Sequence, residues 1–119
     1  MISHQHTCGK SAKIVQINYE ETDLDVMEPL EPPPGGDVDL RAAKQRWGDK
    51  FCLKGNLNTF DLMLNGTPDD VKRAAREAID AAAEGGGFIL STGDQCGLDT
   101  PDANLAGLVE VSKTYGRYR

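Results

Sequence analysis

The chain has 119 residues, a net charge of -6 and three cysteines. This length allows one domain with a real hydrophobic core. The 13 lysines and arginines do not cluster, which argues against a nucleic-acid or anionic-membrane partner. No apolar run approaches the ~20 residues that span a bilayer, and the polar N-terminus is unlike a signal peptide. An odd number of cysteines does not suggest a secreted disulfide framework, so we expect a cytoplasmic protein with reduced thiols.

Short apolar runs alternate with helical patterns from the beginning of the chain. Residues 2–5 have the pattern of the end of a strand, and residues 10–20 predict a helix with weak amphipathic patterning. Residues 25–27 predict a short strand, and Asp37 is placed to cap a helix that Gly48 closes. The predicted buried side of this helix carries Leu40, Ala43 and Trp47.

The next unit has the clearest helix signals. Residues 51–53 predict a buried strand that is stopped by residues 55–56. Thr67 is the predicted N-cap of a helix with Pro68 at its first position, and the glycines at 85–87 end that helix. The predicted apolar stripe consists of Val71, Ala74, Ala75, Ala78, Ile79 and Ala82.

The last unit repeats this arrangement. Residues 88–90 predict a strand, residues 91–99 a loop, and Thr100 the cap of a helix with Pro101 at its first position. The predicted buried face of this helix carries Leu105, Leu108, Val109 and Ser112.

Four strands that alternate with four helices over short connections predict an α/β fold of parallel βα units. Four such units are half of a (β/α)8 barrel, and half a barrel has two open sheet edges. Residues 1–119 are therefore expected to be a partial domain. It would be a fragment, a split subunit that needs a complementary half-barrel, or a half that associates with itself.

A candidate metal site follows from the strand ends. His6 and Cys8 lie two positions apart at the end of the first predicted strand, so their side chains point to the same side. Cys96 lies in the loop after the last predicted strand, and the carboxyl ends of all strands in a parallel barrel open on one face. An imidazole and two thiolates suit zinc, and three protein ligands leave the open position of a catalytic site.

Two acidic residues would lie on the same face of the barrel, where the carboxyl ends of the strands open. Glu28 follows the second strand and is a candidate fourth ligand or hydrogen-bond acceptor for a ligand, and Asp94 is a candidate catalytic acid. Other interpretations remain open at this point. A His-x-Cys pair and a loop cysteine also occur incidentally, and loop acids are often simply solvated. Cys52, between two apolar residues, is predicted to be a small buried hydrophobe.

The ordered motifs of the chain resemble the C-terminal part of the uroporphyrinogen decarboxylase superfamily over residues 6–118. The resemblance implies a (β/α)8 barrel of which this chain supplies the C-terminal half. The motifs that carry it are GDVDL at 36–40, LKGN at 53–56, GTP at 66–68, GGFIL at 86–90 and DTPDAN at 99–104.

The resemblance extends to one branch of that superfamily. The zinc-dependent methylcobamide:coenzyme M methyltransferases carry a His-x-Cys after one strand and a Cys after the last, and His6, Cys8 and Cys96 match these positions. Glu28 falls where an acidic residue is found near the metal, and Asn56 is a candidate cofactor-binding residue. The metal-free decarboxylases usually have a histidine in the last loop, where this chain has Asp94.

The methyltransferase branch implies methyl transfer to a thiol. The expected cofactors are zinc and a methylated corrinoid (methylcobalamin) as methyl donor, carried on a partner corrinoid protein. The acceptor would be coenzyme M, another small thiol or a tetrahydrofolate-type amine. The alternatives are a metal-free uroporphyrinogen decarboxylase of tetrapyrrole biosynthesis and a chain that is inactive without its other half.

Overall fold

A computed structural model describes residues 1–117. The strands are β1 His4–His6, β2 Val26–Glu28, β3 Cys52–Leu57 and β4 Phe88–Thr92. The helices are α1 Ala12–Glu21, α2 Leu40–Trp47, α3 Pro68–Ala82 and α4 Asp102–Thr114, and a π-helical turn at Thr59–Leu64 precedes α3. Within residues 1–117, no helix has both the length and the apolar character needed to cross a membrane.

The four strands form one parallel sheet in the order β1-β2-β3-β4. His6 is paired with Glu28, Met27 with Leu53, and Leu53 with Phe88. Neighbouring strands are therefore consecutive in the chain, and a helix lies between each strand and the next. This is the arrangement of a stretch of a (β/α)8 barrel, as the alternation of elements predicted. It also brings the carboxyl ends of all four strands to one edge of the sheet.

The core lies on one face of the sheet. In β3 the buried residues alternate with half-buried ones, because successive side chains point to opposite faces. Leu53 and Leu57 are buried, whereas Lys54 and Asn56 face the other way. Trp47 is buried in the core as predicted, and its indole N–H donates to Gln16 at 3.0 Å. The buried residues contributed by α3 are Val71, Ala75, Ala78 and Ala82.

Local signals fix the beginning and end of α3. The Thr67 hydroxyl accepts from the Asp70 N–H, and the Asp70 carboxylate accepts from the Thr67 N–H at 3.0 Å, which makes a complete capping box. After the helix, Gly85, Gly86 and Gly87 have φ values of 74°, 81° and 67°. This is the left-handed region that glycine adopts without a steric penalty. The predicted cap, stripe and end of α3 are all present.

Two predicted boundaries were wrong. β3 does not stop at residues 55–56 but continues to Leu57. Gly55 is needed there for another reason: it has φ of 151°, and a Cβ would collide with the carbonyl oxygen of Pro29. Asp37 does not cap α2; Asp39 does, accepting from the Ala42 N–H at 2.7 Å. Asp37 instead accepts from the Ala12 N–H at the first residue of α1.

The predicted buried face of α4 was wrong in part: Leu108 packs against the core, but its other predicted residues are exposed. Leu105 and Val109 are 38% and 49% exposed, while Asn104, Gly107 and Val111 are buried. Thr100 does not cap the helix either, since the N-cap position is Pro101, which makes no side-chain cap bond. The reason is close packing. A Cβ on Gly107 would lie 3.3 Å from the Pro68 carbonyl oxygen, a tight contact, so the absence of a side chain there favours the close approach of α4 to α3.

Candidate metal centre

The segment after β1 is tied to the end of β2. The Thr7 N–H donates to the Glu28 carbonyl at 2.8 Å, extending the strand pairing by one residue. The Gly9 N–H then donates to the Glu31 carboxylate at 2.6 Å. These two bonds flank Cys8 and hold its backbone at the strand ends, where its side chain is exposed.

After β4 the chain turns back toward the end of β1, and Gly93 makes a close contact within this turn. The Gly93 N–H donates to the Leu57 carbonyl, and a Cβ on Gly93 would lie 3.1 Å from that oxygen. The turn is completed by Asp94, whose carbonyl accepts from the Thr92 hydroxyl at 2.8 Å and whose Oδ1 accepts from the Gln95 N–H at 2.7 Å. Glycine at position 93 therefore permits the turn that presents the Asp94 carboxylate.

His6, Cys8 and Asp94 meet at this point. Each offers one ligand atom, and these atoms all lie within 4.8 Å of one another. His6 Nε2 lies 3.5 Å from Asp94 Oδ1. Among the described residues, Cys96 is not in this group; its partly buried side chain packs against the hydrophobic core. The structure thus brings together two of the three predicted zinc ligands and the predicted catalytic acid.

Glu28 forms a hydrogen bond with Nδ1, the other ring nitrogen of His6. His6 Nδ1 lies 2.9 Å from Glu28 Oε1, and His4 Nε2 lies 3.3 Å from Glu28 Oε2. Lys54 forms an ion pair with Glu28 Oε2. Partial burial raises the pKa of Glu28, but the hydrogen bonds from Lys54 and His6 and the charges of Lys54 and His4 outweigh it, so this pKa lies below its ordinary value. Glu28 is therefore an anion placed to fix the His6 ring.

Lys54 was missed by the sequence analysis. The sequence could have indicated its role, because alternation along β3 places Lys54 and Asn56 on the face opposite the core. Asn56, the predicted cofactor contact, donates from Nδ2 to the Leu30 carbonyl at 3.0 Å. Cys52 is also on this face and is half-buried rather than part of the core, and burial raises the pKa of its thiol.

A polar pocket opens at the same edge of the sheet. Its lining includes His6, Glu28, Lys54, Ser91 and Asp94. The donors fit zinc: an imidazole nitrogen, a thiolate and a carboxylate are all zinc ligands in proteins. Two donors at about 2.0–2.1 Å from one tetrahedral ion are about 3.3 Å apart, close to the spacing of His6 Nε2 and Asp94 Oδ1. A carboxylate on the far nitrogen of a ligating histidine is the usual support of such a site.

Comparison with known proteins identifies relatives of two kinds. The chain is 43% identical over 80 residues to the methylcobamide:CoM methyltransferase MtbA of Methanosarcina mazei, covering 66% of the chain and 22% of that protein. It is 31% identical over 78 residues to the uroporphyrinogen decarboxylase of Coxiella burnetii, covering 66% of the chain and 21% of that protein. The chain thus spans about a fifth of the length of these curated relatives.

A solved structure and a family match cover nearly the whole chain. A methyltransferase from Methanosarcina mazei superposes with a TM-score of 0.79 over 98% of this chain and 32% of that one. At 22% identity this likeness shows the shared fold. Residues 3–115 match the uroporphyrinogen decarboxylase (URO-D) family. The chain therefore belongs to the uroporphyrinogen decarboxylase family, the family that its ordered motifs indicated.

Proposed function

We propose that this chain is part of a zinc-dependent methyltransferase, in which a methyl group passes from a methylated corrinoid on a partner protein to a small thiol. The observation that carries the proposal is the meeting of His6, Cys8 and Asp94 at the strand ends. It is supported by the 43% identity to a protein named methylcobamide:CoM methyltransferase. The thiol would be coenzyme M or a similar compound, with a tetrahydrofolate-type amine as the other possible acceptor.

The residues of the site have separable tasks. His6 and Cys8 would hold zinc, together with a donor from the loop after β4, for which the sequence predicts Cys96. Glu28 would accept a hydrogen bond from His6 Nδ1, which leaves Nε2 to face the metal and Asp94. Lys54 would keep Glu28 in this position and charged. Glu28 then supports the site from outside rather than occupying a coordination position.

Zinc held by His6 and Cys8 would supply a Lewis acid that lowers the pKa of a substrate thiol, which is near 8.5 in the free compound, and so would favour its deprotonation at neutral pH. The thiol proton would leave to solvent. The corrinoid of the partner protein would supply the methyl group: a sulfur–carbon bond would form as the cobalt–carbon bond breaks, with the electron pair of the broken bond left on cobalt. The corrinoid would approach from the side of the sheet where the carboxyl ends of the strands lie, because the polar pocket opens there.

Zinc content tests this proposal directly. The purified chain should contain about one zinc per molecule, and His6→Ala and Cys8→Ser should each lower this content because each removes a donor. The control is Cys52→Ser, which removes a thiol from the beginning of β3. Zinc far below one equivalent in the folded wild-type chain, unaffected by either ligand substitution, would count against the proposal.

A second candidate function is a metal-free decarboxylase-like activity on a tetrapyrrole. The observation that favours it is the similarity to proteins named uroporphyrinogen decarboxylase, at 30–34% identity over about two thirds of the chain. Chromatography of the products formed from uroporphyrinogen separates the two candidates. Loss of acetate side chains as carbon dioxide would favour the decarboxylase, and methylation of coenzyme M would favour the methyltransferase.

A third possibility is that the chain acts only together with a complementary half-barrel or a second copy. In residues 1–117 the sheet is open, with β1 and β4 at its edges. Ile2 and Ile89, on or next to these edge strands, are exposed. Light scattering of the purified chain tests this: self-association would support it, and a cooperatively melting monomer would contradict it.

A further inference from the structure

We propose that Glu31 is a positioning residue that ties together the two segments carrying the candidate metal ligands, the one after β1 and the one after β4. The inference rests on the proposed function, since it assumes that zinc binds at the strand ends. It goes further by assigning a role to a residue outside the group of ligand atoms that the described residues bring together. In this role Glu31 acts through the backbone of the two segments and does not touch the metal.

Glu31 holds the segment after β1 through a hydrogen bond. The Oε2 atom of this half-buried side chain accepts from the Gly9 N–H at 2.6 Å, directly after Cys8 in the chain. Gly9 has φ of 76°, a left-handed conformation that favours glycine, so the chain turns where this bond is made. On the other side of Cys8, the Thr7 N–H donates to the Glu28 carbonyl. Without the Glu31 carboxylate, the backbone of Cys8 would be held from one side only.

The aliphatic part of the same side chain lies against the segment after β4. A Cβ on Gly93 would lie 3.1 Å from Glu31 Cγ, so the Gly93 backbone packs closely on this side chain. Gly93 begins the turn that presents Asp94 and leads on to Cys96. One side chain therefore contacts both segments, with its carboxylate on the first and its methylene groups on the second.

The backbone on both sides of Glu31 is held in place. Leu30, which is fully buried, has φ of 59°, a left-handed conformation that residues with a side chain rarely adopt. Its carbonyl accepts from Asn56 Nδ2 at 3.0 Å, and the Glu31 carbonyl accepts from the Val38 N–H at 3.0 Å. An unfavourable backbone conformation that the surrounding contacts maintain is typical of functional sites. The position of Glu31 is thus set by the fold itself.

Zinc affinity of the full chain, measured by competition with a chelator, is the first readout. Glu31→Ala should weaken zinc binding about 10- to 100-fold, the range for partners outside the ligand shell. Glu31→Gln should retain most of the affinity, because its amide oxygen can still accept from the Gly9 N–H. The matched control is Asp37→Ala, which removes a carboxylate that accepts from the Ala12 N–H at the beginning of α1 and should leave zinc affinity unchanged.

Amide hydrogen exchange of the metal-free chain is the second readout, which a general loss of stability would not reproduce. Glu31→Ala should speed exchange at Gly9 and Gly93, while the Thr7 amide should keep its wild-type rate. Circular dichroism checks the fold of each variant. If Glu31→Ala does not fold, Glu31→Asp takes its place, since its carboxylate is one methylene group short of Gly9.

The outcomes separate this inference from the proposed function. Wild-type zinc affinity in the folded Glu31→Ala protein, or unchanged exchange at Gly9 and Gly93, would overturn the inference and leave the zinc site in place. A loss of affinity in Glu31→Gln as large as in Glu31→Ala would also overturn it, because charge and not the hydrogen bond would then be responsible. Absence of zinc binding by the wild-type chain would instead overturn the proposed function, and this inference with it.

Discussion

Replacing Glu28 tests how the site is supported. Glu28 is 14% exposed and contacts His6, His4 and Lys54, so its loss removes the partner of the His6 ring and leaves the Lys54 ammonium without its carboxylate. Loss of such a partner typically weakens metal binding 10- to 100-fold, or about 1.4–2.8 kcal/mol. We expect Glu28→Ala to weaken zinc binding within this range. Glu28→Gln should weaken it less, because the amide oxygen can still accept from His6 Nδ1.

Chelator competition on the zinc-loaded chain measures this effect. Glu110→Ala is the control: it removes an ion pair with Lys72, 2.7 Å long, from the helical layer and should not change zinc affinity. A folded Glu28→Ala protein with unchanged zinc affinity would refute the argument that Glu28 positions His6. A loss far greater than 100-fold would also contradict it, since that would make Glu28 a ligand.

Further predictions concern stability. Asn104 is 1% exposed and donates to the Met63 and Gly66 carbonyls at 2.9 Å. Asn104→Ala should therefore lower the free energy of unfolding, measured by urea titration, by about 2 kcal/mol. An unchanged free energy would contradict the role of Asn104 in joining α4 to the π-helical turn. Thr67→Ala removes the cap of α3 and should cost about 1 kcal/mol in the same assay. Hydrogen bonds from Thr67 and the neighbouring Arg73 lower the pKa of Asp70 from 3.8 to about 2. A lowered pKa in the folded state stabilises the fold above pH ~4, and this contribution is lost as the pH falls toward 2. Asp70→Asn should therefore weaken the loss of stability between pH 4 and pH 2, and an unchanged profile would refute this.

The parts of the fold that could be predicted are those fixed by local signals. α3 has a capping threonine, a proline at its first position, an apolar stripe and terminal glycines, and each acts within a few residues. α4 shows the limit of this approach. Its apolar residues Leu105 and Val109 predicted a buried face, but the packing is decided by Asn104 and Gly107. Their contacts are with residues about 40 positions away, which no periodicity reveals.

The candidate site also has a part that the sequence could predict and a part that it could not. His6 and Cys8 could be paired from the sequence because residues two apart in an extended segment share a side. Cys96 was predicted as the third donor, whereas the position of Asp94 beside His6 and Cys8 was not foreseen, because it depends on an irregular loop in which Gly93 packs against the Leu57 carbonyl. Lys54 was overlooked because it lies just beyond the strand predicted at residues 51–53. Its pairing with Glu28 depends on the parallel register of β2 and β3.

The central claim is that zinc binds where β1 and β4 end, through His6 and Cys8. X-ray absorption at the zinc edge of the purified, zinc-loaded chain tests it most directly. We predict at least one sulfur at about 2.3 Å, with the remaining ligands nitrogen or oxygen at about 2.0–2.2 Å. A zinc shell without sulfur, or the same spectrum in Cys8→Ser, would contradict the claim.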